Sequence, residues 1–177
     1  MYNKIAFIGG IHGVGKSTVC HQICDKIDIE YLSASELIKW AEINTEKLNK
    51  KVKCIHETQD RLVIGLNNKI VENKFYLLDG HYSLLDQNNE IVNVPIETFK
   101  RINPNSLNII TGKISEIKIR LQNRDKKPYD QDLLRRMQNN ELAYAKSLSI
   151  SLGINLNIGT VSDFSELFVS LYNDNLF

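Results

Sequence analysis

Proline is scarce in this chain of 177 residues, which holds three prolines, three cysteines, two methionines and one tryptophan. No low-complexity linker and no internal repeat interrupts it, so residues 1–177 read as a single domain. Of the cysteines, Cys20 and Cys24 stand one helical turn apart and Cys54 lies alone. No second Cys/His pair with zinc-ligand spacing accompanies them, although His21 and His56 are near in sequence. They read as reduced, partly buried thiols of a cytosolic protein. Charge of one sign is also lacking. Lys plus Arg number 22 and Asp plus Glu 21, a net +1, so no global field argues for nucleic acid or an acidic membrane as partner. No apolar run reaches membrane-spanning length. The N-terminal run is short and passes into glycines and a lysine rather than a small-residue cleavage site, so the expected location is the cytoplasm.

What is present is ordinary globular material, 42% hydrophobic and 24% charged, enough to bury a core. KIAFIG (Lys4–Gly9) is a continuous apolar run, the pattern of a buried parallel strand. A helix is predicted from Lys16 to about Lys26, with Val19, Ile23 and Ile27 on one face. A short strand follows at Ile29–Leu32, then a helix through Glu36–Trp40 capped by Ser33 or Ser35. Asn44–Lys53 is polar and lysine-rich, a loop or exposed helix end. From His56 to about Glu72, Leu62, Ile64, Leu66 and Ile70 predict a helix, and KFYLLDGH (Lys74–His81) a second core strand.

Gln87–Pro95 reads as a loop, Ile96–Ile102 as a short helix stopped by Pro104, and Ser106–Gly112 as a third core strand. Helices are predicted at Glu116–Arg124 and about Leu133–Leu152, broken at Asp125–Asp132. A strand at Ile154–Gly159 and a helix at Ser162–Tyr172, capped by Ser162 or Asp163, complete the chain. This alternation predicts an α/β fold, a parallel sheet with helices on both faces.

GIHGVGKS matches G-x-x-x-x-G-K-[ST] at Gly10, Gly15, Lys16 and Ser17, with a predicted strand before it and a helix after. Such a loop turns its N–H groups onto phosphate, and its glycines remove the Cβ atoms that would block the approach. Gly10, His12, Gly13, Val14, Gly15, Lys16, Ser17 and Thr18 are therefore the candidate ATP-binding residues. Lys16 is expected to reach the β- and γ-phosphates, and Ser17 to ligate Mg²⁺. His12 either touches phosphate or fills the loop. Asp79, at the carboxyl end of a core strand, is the second candidate Mg²⁺ ligand. His81 is placed to order a water, contact an acceptor or anchor the next loop.

The chain is too short for a tandem helicase, and the base-reading N-K-x-D of GTPases is missing: Leu66–Lys69 has no aspartate at the required place. Small kinases remain. They need cations on a mobile lid, and Arg120–Arg136 supplies them. Arg120 and Arg124 share one helix face, Lys126 and Lys127 sit in a turn stopped by Pro128, and Arg135 and Arg136 follow. The lid is assigned to about 124–135.

GIHGVGKST, ETQDR (Glu57–Arg61), LLDGHYSL (Leu77–Leu84) and the stretch from Asn93 to Thr111 together resemble, in order, the archaeal-type adenylate kinases and the related adenylate-kinase-like ATPases. The resemblance implies a five-stranded parallel sheet and a nucleoside monophosphate site in about 33–73, with Ser35 in the acceptor region. It implies that Gln59 and Arg61 hold the acceptor phosphate and that Arg120 and Arg124 are lid arginines. Lys127, Arg135 and Arg136 join the candidates for contacting substrate. It also allows an oligomer. His12 stands where the family usually has proline, Gly80 where threonine or tyrosine is common, and the lid is short and lysine-rich. Three functions follow: a kinase for AMP, dAMP or a related small acceptor; a partner-regulated ATPase using Asp79 and His81; and a non-catalytic nucleotide-binding module. A hydroxyl acceptor would need a base, and Asp79 leads for that role.

Overall fold

A computed structural model describes residues 4–45 and 55–174. Five strands form its sheet: β1 (Lys4–Gly9), β2 (Glu30–Ser33), β3 (Phe75–Asp79), β6 (Ser106–Thr111) and β7 (Asn155–Thr160). Their order is β2-β3-β1-β6-β7, and every pairing is parallel. Successive side chains of a strand point to opposite faces, and β1 shows the result. Ile5 and Phe7 enter one apolar layer, and Ala6 and Ile8 the other. Both faces are buried, which is why the run reads as continuously apolar.

Helices α2 (Ala34–Thr45), α3 (Ile55–Lys69) and α4 (Ile96–Ile102) cover the Phe7 face through Leu37, Leu62, Leu66, Phe99 and Ile102. Helices α1 (Lys16–Cys24), α5 (Ile114–Asp125) and α7 (Phe164–Asn173) cover the Ile8 face through Val19, Ile23, Ile117, Leu121, Phe164 and Phe168. The long α6 (Gln131–Leu152) serves both, with Leu134 and Met137 in the second layer and Ala145 and Leu148 in the first. Phe7, Tyr82 and Phe99 form an aromatic group with ring centroids 5.0–5.7 Å apart, and the Tyr82 hydroxyl donates to the Asn108 carbonyl at 3.0 Å.

Three sequence expectations need correction. Gln87–Pro95 is not simply a loop, because β4 (Ser83–Leu85) and β5 (Ile91–Asn93) pair antiparallel across it. The turn between them is held by Asp86, whose Oδ1 accepts from the N–H groups of Asn88 and Glu90 at 2.8 and 2.9 Å. Ile64 is 44% exposed, and Val63 takes the inward position beside Leu62. Neither Ser162 nor Asp163 caps α7 with its side chain. Asp163 Oδ1 instead accepts from the Thr160 N–H at 2.6 Å, closing the turn before the helix. The lysine-rich Lys47–Lys53 segment and Cys54 lie outside the described residues. Cys20 is buried and Cys24 half-buried, both as free thiols. No helix among the described residues is long and apolar enough to cross a membrane.

The register sets the site. Ile8 of β1 lies opposite Asp79 of β3, so the carboxyl ends of these two strands finish level. Chain order reverses beside β1, which lies between β3 and β6. Ligand crevices of open α/β sheets lie outside such a point.

Candidate active site

The loop from Gly10 to Gly15 joins β1 to α1 through left-handed backbone. Gly13 has φ 75° and Gly15 has φ 110°. A Cβ on Gly13 would stand 2.7 Å from Leu121 Cγ, and one on Gly15 2.7 Å from Val161 Cγ2. Both positions therefore require glycine on conformation and on space. Val14 turns its side chain into the core, and its N–H donates to the Ile11 carbonyl at 3.3 Å. Gly10 shapes the loop without lining the cleft, whereas His12, Gly13, Gly15, Lys16, Ser17 and Thr18 line it.

Lys16 is 8% exposed, and its ammonium donates to the Gly10 carbonyl at 2.7 Å. It lies 3.9 Å from Asp79 Oδ1. Burial pulls its pKa down, and Asp79 and then Glu141 oppose that shift. The other Asp79 oxygen accepts from the Ser17 hydroxyl at 3.3 Å and from the Tyr31 hydroxyl at 3.1 Å. Ser17 and Asp79, drawn from the first turn of α1 and the end of β3, form an oxygen pair at the mouth of the phosphate loop. A hard cation such as Mg²⁺ takes a few such protein oxygens and completes its shell with phosphate and water. The donor chemistry therefore fits the ion. No cluster of three or more His, Cys, Asp or Glu side chains that could hold a metal exists among the described residues.

Sequence reasoning missed Tyr31. A tyrosine in a short strand reads as core, and only the register of β2 on β3, with Ser33 opposite Asp79, brings it to the site. Burial pushes its pKa up to about 12, so it stays a donor. Tyr31→Phe is expected to lower the unfolding free energy by about 1–2 kcal/mol through loss of a hydrogen bond to a charged group. Urea denaturation measures this, and an unchanged midpoint would remove Tyr31 from the network.

The two histidines meet. The His12 and His81 ring centroids are 4.1 Å apart, both rings line the cleft, and His81 Nδ1 lies 3.4 Å from Glu141 Oε1. Burial, then the neighbouring His81, Lys16 and Arg124 charges, lowers the His12 pKa to about 4. Burial and Lys16 lower that of His81 to about 3. Both imidazoles are therefore neutral at physiological pH.

From the phosphate loop one cleft of about 620 Å³ continues between α2, α3 and α4. Its far end is walled by Ile38, Leu62, Leu84, Val94, Phe99 and Ile102, with Ser33, Ser35, Gln59 and Thr98 as polar groups. Gln59 is buried. Arg61 does not line this cleft, and its guanidinium pairs with Glu42 of α2 at 3.3 Å. The reason is helical geometry. Residues two apart point roughly 200° apart around a helix, so a Gln59 that faces the cleft sends Arg61 away from it.

Arg120 and Arg124 both line the cleft from α5. Arg120 Nε donates to the Gly13 carbonyl at 2.9 Å, and Arg124 pairs with its neighbour Asp125 at 2.6 Å. The connection from α5 to α6 is closed by Lys126 in left-handed backbone and by Asp130, whose Oδ1 caps α6 at the N–H groups of Asp132 and Leu133. Lys127, Arg135 and Arg136 do not line the cleft. The Lys127 ammonium lies 5.2 Å from the centre of the Tyr129 ring, and Arg135 pairs with Asp132.

Known proteins resemble this chain in sequence and in fold. The family described as AAA domain matches residues 9–138. Adenylate kinases of Listeria monocytogenes and Listeria innocua are each 29% identical over 93 residues, covering 48% of this chain and 43% of theirs. The matched part thus spans less than half the length of these curated relatives. Two solved structures share the fold over nearly the whole chain. A gluconokinase from Sinorhizobium meliloti superposes with a TM-score of 0.52 at 11% identity, covering 97% of each chain. An uncharacterized protein from Eubacterium ventriosum does so with a TM-score of 0.53 at 16% identity, covering 98% of this chain and 99% of that one. With the phosphate loop, the Asp79 strand end and the five-stranded parallel sheet in this order, the chain belongs to the AAA domain family.

Proposed function

We propose that this protein is an ATP-dependent phosphotransferase whose acceptor is a small molecule, with a nucleoside monophosphate, AMP or dAMP, first in line. The observation that carries the reading is the single continuous cleft. Its charged end holds Lys16, Ser17 and Asp79, and its other end is an apolar recess with a few hydroxyl and amide groups. Such a recess suits a flat aromatic base better than a polyol, which would leave many hydroxyls without partners. The match to the Listeria adenylate kinases supports the same choice.

Catalysis in this reading is positioning and charge neutralisation. Lys16 leaves the Gly10 carbonyl to meet the transferred phosphoryl group, and Arg120 and Arg124 approach from α5. Ser17 and Asp79 would hold Mg²⁺, which supplies further neutralisation of the phosphate oxygens when bound. Tyr31 keeps the Asp79 carboxylate oriented. A phosphate acceptor is already anionic and needs no base. With Arg61 engaged by Glu42, the charge of an acceptor phosphate would fall to the α5 arginines.

A hydroxyl acceptor is the second reading, with Asp79 as base. It is favoured by the gluconokinase among the structural relatives, though at 11% identity that likeness speaks for fold alone. The adjacent neutral imidazoles of His12 and His81 favour a third, in which His81 orders a water and the protein hydrolyses ATP under a partner's control.

The test is ADP and product formation from Mg-ATP, followed by chromatography over nucleoside monophosphates, their deoxy forms, nucleosides, shikimate and gluconate. One phosphorylated monophosphate is the expected product. A phosphorylated nucleoside or gluconate would move the reading to a hydroxyl acceptor. ADP at the same rate in every tube, with no acceptor consumed, would replace the kinase by an ATPase.

A further inference from the structure

Glu141 lies in the middle of α6, and its side chain is fully buried. Nothing in the phosphotransfer scheme above uses it. Its Oε1 accepts from the Ser83 N–H at 3.3 Å and lies 3.4 Å from His81 Nδ1, while its Oε2 has no protein hydrogen-bond partner. The backbone N–H groups of Tyr82 and Gly10 also face the carboxylate, yet a buried carboxylate with one oxygen unpartnered opposes folding and invites a reason beyond packing.

The placement supplies that reason. Helix α6 is fixed to the rim of the site at three points. Gln138 exchanges two hydrogen bonds with the Gly112 backbone at the end of β6, at 3.0 and 3.1 Å. Asn140 bonds Asn93 at 2.7 Å, and the Tyr144 hydroxyl bonds the Val94 carbonyl at 2.7 Å. Glu141 sits inside this anchored stretch, so its carboxylate is a rigid reference point under the loop that carries His81. His81 follows the strand-end aspartate by two residues, and Gly80 between them continues the sheet edge, its N–H donating to the Ile8 carbonyl at 3.0 Å.

We propose that Glu141 is a positioning residue for the phosphoryl-transfer centre, fixing the orientation and tautomer of His81 from α6. Above about pH 7, where Glu141 is ionised, the imidazole nitrogen that faces it carries the proton and the other nitrogen becomes the acceptor. Contact at 3.4 Å is loose, as such pairs often are before substrate tightens them. The same carboxylate accepts from the Ser83 backbone, so it links α6, the start of β4 and His81 in one buried junction. The kinetic part of this proposal rests on the phosphotransfer reading; the spectroscopic part does not.

The experiment uses the full chain in four forms: wild type, Glu141→Leu, Glu141→Gln and His81→Ala, each checked for folding by thermal melting. Imidazole ¹⁵N spectra recorded at about pH 8.5, well above the ordinary histidine range, with saturating Mg-ADP report the His81 tautomer. The Nδ1–H form is expected in wild type and in Glu141→Gln, whose amide oxygen still accepts, and its loss is expected in Glu141→Leu. His81 lines the cleft together with Lys16 and Asp79, and through it Glu141→Leu is expected to lower kcat about 10–100-fold, with KM for ATP within about threefold. Glu141→Gln should recover most of that loss. The double variant Glu141→Leu with His81→Ala should be no slower than His81→Ala alone. A tautomer unaffected by Glu141→Leu, or an equal and additive loss in the His81→Ala background, would overturn the proposal. If no acceptor is found, the tautomer spectra alone decide it.

Discussion

Lys16→Met is expected to lower kcat/KM for phosphotransfer about 100–1000-fold, the cost of removing one preorganised charge donor from a transition state. The methionine keeps the length of the stem and removes the ammonium. That ammonium is held by the Gly10 carbonyl at 2.7 Å and faces Asp79 at 3.9 Å. These contacts hold it inside the loop until phosphate replaces them, so its charge is directed at the transferred group and not at solvent. Lys16→Arg should recover little. The guanidinium is broad and planar, and the space between the Gly10 and Ile11 carbonyls fits a compact ammonium. Steady-state rates with both variants check this. Near-normal turnover in Lys16→Met would remove the loop lysine from catalysis.

Glu141→Gln is expected to be more stable than wild type at alkaline pH, by about 3 kcal/mol at pH 8, and no more stable near pH 4. Burial raises the Glu141 pKa from 4.5 to about 7, with Lys16 and the backbone N–H groups of Ser83, Tyr82 and Gly10 opposing that rise. The sign follows from proton counts. Between pH 4.5 and about 7 the folded state holds a proton that the unfolded state has released. Wild-type stability therefore falls as pH rises through that window, and the amide that replaces the carboxyl group in the variant does not titrate. In a chain of this size, about 3 kcal/mol is a difference of about 6–12 °C in melting midpoint. The two histidines act in the opposite direction. Their folded pKa values lie below the unfolded value, so their contribution is whole above about pH 6.5 and declines as pH falls toward 4. Melting curves of wild type and variant from about pH 4 to about pH 8 separate the two effects. A constant difference between the proteins across that range would mean that Glu141 does not titrate there.

Much of the fold was readable because its signals are strong. Buried parallel strands are continuous apolar runs, and Ser106–Thr111 or Ile96–Ile102 could be bounded within a residue or two. The β4–β5 hairpin was not readable, since two strands of three residues carry too few positions for alternation to register. The phosphate loop was legible from its spacing, and Asp79 from its place at a strand end. Tyr31 and Glu141 were not. A tyrosine in a strand and a glutamate in a polar helix look like core and solvent face until the sheet order and the path of α6 bring them inward. Arg61 shows the reverse. The pattern that marks it also holds Gln59, and of the two Gln59 lines the cleft while Arg61 pairs with Glu42.

Phosphotransfer itself is tested by following ATP by ³¹P NMR with the acceptor chosen from the panel. The expected result is one phosphoryl group gained by the acceptor for each ATP consumed, which for AMP means two ADP per ATP, with inorganic phosphate at background and the signal lost in Lys16→Met. ADP and inorganic phosphate rising together, with the acceptor unchanged, would contradict phosphotransfer and make this a hydrolase.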